Sequence, residues 1–399
     1  MSRAQLIKFL KVIGGTALAL LIWIFSSKAL QDITVFGAAI WAAWACWRGR
    51  PGGAVWKQPA GFAFMILAVY MLLSIPFSTA PALSWRDFTG MLEIFAGAFA
   101  IPVIFNSRRR LEAALLCSAH AVTLTLMYDC IRLYRHLGPE IMQKAHAFQP
   151  FILNHSNVAS MMAGLAALIY FYFAWQNRAH RPIAALFIAG IFFNLAYQCV
   201  VASRGPQAAL AATIAGVGII IPGWRGKACW GIALLLAGIL ISLNIERINP
   251  RFKEKETMVN FSQRDKVWGH TWHLIRQRPW QGYGYGKRNF TEIYYSSHPP
   301  AADFYYPHPH QYWLKLLFEY GWPGMLLHLA AWLMLFAALL RQTLRQHTFT
   351  DRLWPGIILL LLAYIHIYGM GDYPDNIVQI AQIWLIPVAL SITARGGQT

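Results

Sequence analysis

Four stretches of this chain combine cations, imidazoles or a carboxylate with turn-forming residues. The first is Ser203-Arg204-Gly205-Pro206, at the end of an apolar run. An arginine at a membrane-helix end can simply snorkel to the interface. It can also form an anion site: Gly205 lets the backbone turn, Pro206 can start the next helix, and the guanidinium beside helix-end amides suits phosphate. The second stretch is Gln263-Arg264-Asp265-Lys266-Val267-Trp268, followed by Arg278-Pro279 and Gly282-Tyr283-Gly284-Tyr285-Gly286. Val267, Trp268, Thr271, Trp272 and Ile275 recur at helical spacing, so 264–276 is predicted to be an amphipathic helix ended by Pro279. The glycine run lacks the strand-then-helix context of a nucleotide loop. A backbone that lets a ligand or another helix come close fits better. Lys287 and Arg288 follow at once and could touch phosphate or face water.

The third stretch is His308-Pro309-His310-Gln311-Tyr312. His310, Leu314 and Leu317 are spaced to share one helix face. Two histidines two residues apart suggest a metal, and a zinc site would want a third ligand, with His298 and Asp303 nearby in sequence. A single neutral imidazole acting as base is the simpler role. The fourth stretch is Gly371-Asp372-Tyr373-Pro374-Asp375. It has ordinary turn chemistry, and an acidic residue there could also orient a histidine or balance the arginines.

These residues must be held by elements that live in a membrane. Of 399 residues, 57% are hydrophobic and 13% charged, against about 45–50% and about 25% in soluble domains. The apolar residues come in continuous runs, which argues for helices rather than a barrel. Twelve spans are predicted, near 12–27, 33–47, 60–77, 88–106, 111–131, 157–175, 183–202, 208–221, 229–245, 322–340, 354–371 and 377–394. This divides the chain into 1–245 (nine spans), a large hydrophilic loop at 246–312, and 313–399 (three spans). The net charge of +18 could suggest nucleic acid, but its distribution excludes that partner. Seventeen Lys and Arg fall in seven short segments on one side, and six in the short loops of the other. The positive-inside rule puts the first set, with both termini, in the cytoplasm and the large loop outside. No clear cleavage site follows the first apolar run. The five cysteines are scattered and show no metal spacing. The large loop carries ten Lys and Arg, six Asp and Glu and five histidines, a composition suited to an anionic ligand with sugar or lipid parts.

Together these motifs resemble the O-antigen ligase/polymerase family of bacterial envelope glycosyltransferases. The likeness lies in Ser-Arg-Gly at a span end, Arg-x-x-x-Trp, Pro followed by Gly-x-Gly in a large loop, and His310-Gln311 nine residues before Gly321-Trp322-Pro323-Gly324. It covers roughly 195–330, and the O-antigen ligases are the nearest group. The resemblance implies an all-α integral membrane enzyme of the bacterial inner membrane, with about twelve transmembrane helices and a GT-C-like architecture. Its active site would face the periplasm, with no metal and no cofactor. Its implied partners are membrane lipid, an undecaprenyl-diphosphate-linked O-antigen as donor and the lipid A-core as acceptor. Matched residue by residue, Arg204 and Arg264 are expected to hold the diphosphate, with Arg288 as a further cation. His310 is the expected base because its spacing to Gly321 fits, with His308, Gln311 and Asp372 in support.

The chemistry agrees with that implication. Outside the cytoplasm there is no nucleotide sugar, so the donor must carry its own leaving group. Arginines stabilise a departing diphosphate without a metal, and no Asp-x-Asp pair occurs in the large loop. One base activating a hydroxyl gives direct displacement and inversion, without the two carboxylates of glycosidases. Competing readings are an O-antigen polymerase, a protein O-oligosaccharyltransferase and a lipid or polysaccharide transporter. A transporter should carry charges mid-span, whereas these candidates cluster at span ends and in the loop.

Overall fold

The computed structural model describes residues 28–49, 53–138, 156–248, 264–299, 305–371 and 385–393, and no strand occurs among them. The helices are α1 (Lys28–Trp47), α2 (Pro59–Ser74), α3 (Pro81–Ile104), α4 (Arg108–Leu137), α5 (Ser156–Gln176), α6 (Arg181–Val201), α7 (Arg204–Gly216), α8 (Trp224–Ile248), α9 (Arg264–Gln277), α10 (Lys287–Ser296), α11 (Tyr312–Arg345) and α12 (Phe349–Gly371). A last helical segment covers 385–393.

Eight helices among the described residues are long and apolar enough to cross a bilayer: α2 to α6, α8, α11 and α12. The chain is thus an all-helical, multi-pass membrane protein. The count falls short of the predicted twelve for local reasons. Span 12–27 lies outside the described residues, and of 377–394 only 385–393 are described. Predicted span 33–47 is present as the short apolar part of α1. Predicted span 208–221 falls on α7, which has 13 residues before a 3-10 turn at Val217–Ile219. At 1.5 Å per residue it reaches about 20 Å, less than a hydrocarbon core of about 30 Å. α8 buries none of its most apolar window, and exposes Leu235, Leu240 and Leu243. Such an apolar, unburied helix suits a hydrocarbon environment.

The chain divides into two compact units. The first comprises 1–34, 105–254 and 342–365. α5 is its centre, with 72% of its span window buried. Small residues let neighbours close on it: a Cβ on Gly164 would lie 2.3 Å from the Tyr364 hydroxyl, and one on Gly190 would lie 2.8 Å from the Tyr170 ring. Some of the polar groups inside are partnered across helices. Gln198 Nε2 donates to the Ser160 carbonyl at 2.7 Å, and Asn194 Nδ2 to Thr123 Oγ1 at 3.0 Å. Asp129, 2% exposed on α4, pairs with Arg132 at 3.6 Å.

The second unit comprises 35–104, 255–341 and 366–399. Here α9, α10 and the start of α11 share a core of Val267, Leu274, Ile275, Tyr283, Phe290, Tyr294, Tyr306, Leu317 and Phe318. The predicted amphipathic helix is α9, and it ends two residues before Pro279. Its buried stripe is Val267, Thr271, Leu274 and Ile275, while Trp272, expected inside, is 39% exposed. α11 is two helices joined at Gly321, whose backbone (φ 62°, ψ −169°) is not helical. That region is open essentially to glycine alone. Pro323 follows at the second position of the restarted helix, where a missing N–H costs nothing. The same unit holds a partly open cavity of about 770 Å³ between α2, α3 and α11. Phe64, Met71, Met91, Phe95 and Trp332 form apolar wall, and Tyr312 and His328 stand in it as polar groups.

Candidate functional site

The glycine run and the break in α11 are two halves of one joint. Tyr283 N–H donates to the Phe318 carbonyl at 2.7 Å and Gly284 N–H to the Glu319 carbonyl at 3.0 Å. Trp322 N–H donates to the Pro279 carbonyl at 2.8 Å. No side chain fits in this contact. A Cβ on Gly321 would meet the Trp280 carbonyl oxygen at 2.5 Å, and one on Gly282 would meet the Glu319 oxygen at 2.6 Å. The far side of the run lies on the α2–α3 turn. Ser78 Oγ and Thr79 Oγ1 donate to the Tyr283 carbonyl at 3.0 and 2.8 Å. A Cβ on Gly284 would overlap Ser78 Oγ at 2.0 Å. Close approach of a helix, one of the two uses expected for these glycines, is realised here.

Charge is built into the joint. Glu319, 1% exposed, accepts the Gly286 N–H at 3.0 Å and pairs with Lys315 at 3.6 Å, one helical turn away. Lys315 Nζ also lies over the Tyr285 ring, 5.6 Å from its centroid. Arg288 Nη1 meets Asp87 Oδ1 at 2.8 Å, and Asp87 Oδ2 accepts the Arg288 N–H at 3.0 Å. Arg288 therefore does structural work, tying α10 to α3, on a side chain still 41% exposed. Sequence reading passed over Lys315 and Asp87. A Lys and a Glu four apart in an otherwise apolar stretch were the available signal. Asp87 gave none, because its partner is 201 residues away.

The histidine motif immediately precedes the short helix between Gln311 and Gly321. Gln311 Oε1 accepts the Leu314 N–H, so Gln311 is the helix cap. His310 therefore precedes the helix and does not share its face with Leu314 and Leu317, as its spacing had suggested. Its backbone is left-handed, φ +53°, which costs a non-glycine residue about 1–3 kcal/mol. His308 is 3% exposed, and His310 is half-buried. The two rings are 4.2 Å apart between centroids. Tyr306 meets His310 edge to face at 5.8 Å. Burial, then Tyr295, raises the Tyr306 phenol above its usual value, while the charge on Arg264 pulls it down.

Arg264 and Trp268 lie one turn apart on α9. Trp268 Nε1 donates to the Pro309 carbonyl at 2.8 Å, which fixes the Arg-x-x-x-Trp motif against the histidine motif. Arg264 Nη1 donates to the Gly371 carbonyl at the end of α12. Asp372 itself lies outside the described residues. The second unit thus gathers Arg264, Trp268, His308, His310 and Gln311, and Arg288 attaches to the same glycine joint. Arg204 belongs to the first unit, as the opening residue of α7. The turn before it is made by Ala202 (φ +53°), not by Gly205, which lies in the first helical turn. Ser203 Oγ donates to Asn157 Oδ1, and Gln207 Nε2 to the Gln198 carbonyl at 2.8 Å. Among the described residues no three His, Cys, Asp or Glu side chains converge as metal ligands; Asp303, a third ligand considered from sequence, is not among them.

Comparison with known proteins covers this same region. Residues 191–329 match the family model of the O-antigen ligases. A search of curated proteins finds no match to the chain.

Proposed function

We propose that this member of the O-antigen ligase family joins a polysaccharide to the lipid A-core of lipopolysaccharide. The polysaccharide comes from undecaprenyl diphosphate, at the outer face of the bacterial inner membrane. The observation that carries the reading is the position of the match. Residues 191–329 include the Arg204, Arg264–Trp268, glycine-run and His310–Gly324 motifs. The last three of these are bonded to one another in one unit.

In this reaction a sugar hydroxyl of the acceptor attacks the anomeric carbon of the donor. The bond from that carbon to the diphosphate oxygen breaks, and the hydroxyl proton passes to the His310 imidazole. Arg204 and Arg264 hold the diphosphate as charge collects on it. Arg288, with Nη1 on Asp87, offers its remaining N–H groups to the same anion. The anomeric centre inverts because there is one displacement. The apolar cavity beside the helix from Tyr312 suits the hydrocarbon part of a lipid substrate.

Purified protein, the lipid-linked polymer and lipid A-core form the direct test: long-chain lipopolysaccharide should appear and undecaprenyl diphosphate should be released. Deletion separates the sister activity. Loss of all long chains with accumulated lipid-linked polymer identifies a ligase, and a core bearing one repeat unit identifies a polymerase.

A further inference from the structure

Among the described residues three non-glycine residues have positive φ: Ala202, His298 and His310. Glycine would hold the His310 backbone without strain, yet the chain places an imidazole there. A strained position at a site persists only where the surroundings over-determine it, and here the restraints are visible. Pro309 fixes its own φ. Its carbonyl is held by the Trp268 indole N–H at 2.8 Å. The next N–H, that of His310, donates to His308 Nδ1 at 3.2 Å. Gln311 then caps the helix that follows. From 308 to 311 each residue is restrained by its ring, by a hydrogen bond, or by both.

We propose that His308 and Trp268 are positioning residues that clamp His310 in its left-handed conformation and so aim its ring at the acceptor hydroxyl. The inference rests on the reading of His310 as base. His308 takes part as a neutral ring that accepts at Nδ1. At 3% exposure it is screened from an incoming sugar, which argues against it as the base itself. Its bond to the residue two positions on has the geometry of an Asx-turn. Nδ1 of histidine and Oδ1 of asparagine both branch from Cγ, so asparagine can replace the acceptor without the imidazole. Trp268 explains the second half of the Arg-x-x-x-Trp motif. Its ring nitrogen carries the registration between α9 and the histidine loop, one turn from Arg264.

The experiment compares His308→Asn, His308→Leu, Trp268→Phe and His310→Ala in purified form, reading kcat and donor KM for polysaccharide transfer. His308→Asn should stay within about fivefold of the parent kcat, because the turn acceptor is kept. His308→Leu and Trp268→Phe should each lose about 10- to 100-fold in kcat with donor KM little changed, the penalty of a misaimed group. If His308→Asn is as inactive as His308→Leu, the imidazole itself is needed and the clamp is wrong. If His308→Leu and Trp268→Phe both match the parent, no clamp is needed and the proposal also fails. Should His308→Leu not fold, His308→Asn and Trp268→Phe still decide. The underlying reading fails differently: the parent shows no transfer, or His310→Ala keeps it.

Discussion

At the scale of single residues the proposed division of labour is between holding charge and moving one proton. General-base contributions are typically about 10²–10⁴-fold, so His310→Ala should lose that much turnover. It should still bind the lipid-linked donor, because the arginines remain. Turnover and donor affinity measured on one preparation check both halves. The arginines are tested by keeping their charge. Lysine lacks the planar fork, and a hydrogen bond to a charged group is worth about 1.5–3 kcal/mol. Arg204→Lys and Arg264→Lys should each lower transfer about 10- to 100-fold in protein that is still inserted and folded. Near-normal activity in both would leave only an anchoring role at the interface. Transfer should also persist in excess EDTA, and loss restored by one divalent ion would turn His308 and His310 into ligands. Motif spacing singled out Arg264 and His310 as candidates, and the Trp268–Pro309 bond brings their two motifs together. The geometry that separates His308 from His310 could not be read from spacing, because it depends on φ and on a tryptophan 41 residues away.

At the scale of elements the candidate site is a joint between a glycine-rich turn and a broken helix. The sequence displayed both parts, Gly282 to Gly286 and Gly321 to Gly324, but nothing in their spacing says that they meet. They meet because each removes the side chains that would hold the other's backbone away. Helical periodicity likewise continues through Gly321, so apolar pattern alone does not reveal the break. Gly321→Ala combines a backbone region closed to alanine with a Cβ 2.5 Å from a carbonyl oxygen. It should cost on the order of 3 kcal/mol. Thermal unfolding of the detergent-solubilised variant should show a clearly lowered midpoint. Gly269→Ala, with open space at its Cβ in the interior of α9, is the control and should melt at or slightly above the parent midpoint. Equal midpoints for the two variants would mean that the joint does not bear on stability.

At the scale of the whole molecule, hydropathy made the helical membrane class plain, because continuous apolar runs have few other fates. Counting spans was harder where runs are short, as at α1 and α7. The proposed orientation rests on charge, and in the first unit some of the basic segments lie together. Arg108 Nη2 donates to the Tyr172 hydroxyl at 3.0 Å and its guanidinium lies over Trp354 at 5.5 Å. Trp175 packs on Phe349 at 4.6 Å. The start of α4, the end of α5 and the start of α12 therefore share one end of that unit, and with them come Arg108, Arg109, Arg110, Arg178 and Arg352. Asn157, at the other end of α5, meets Ser203 beside Arg204. The two ends are separated by some twenty residues of helix, about 30 Å, the thickness of a hydrocarbon core. A basic end and an Arg204 end must then face opposite sides of the bilayer. In the orientation we propose, the positive-inside rule puts the basic end in the cytoplasm and the hydrophilic segment between α8 and α11 outside. In a variant lacking the five native cysteines, a cysteine at Glu292 should react with a membrane-impermeant maleimide in intact spheroplasts. One at Arg109 should react only after permeabilisation. Both positions are exposed, so neither result can be blamed on burial. The reverse pattern would put the histidine loop in the cytoplasm, where lipid-linked polymer does not meet its acceptor, and would end the ligase reading with it.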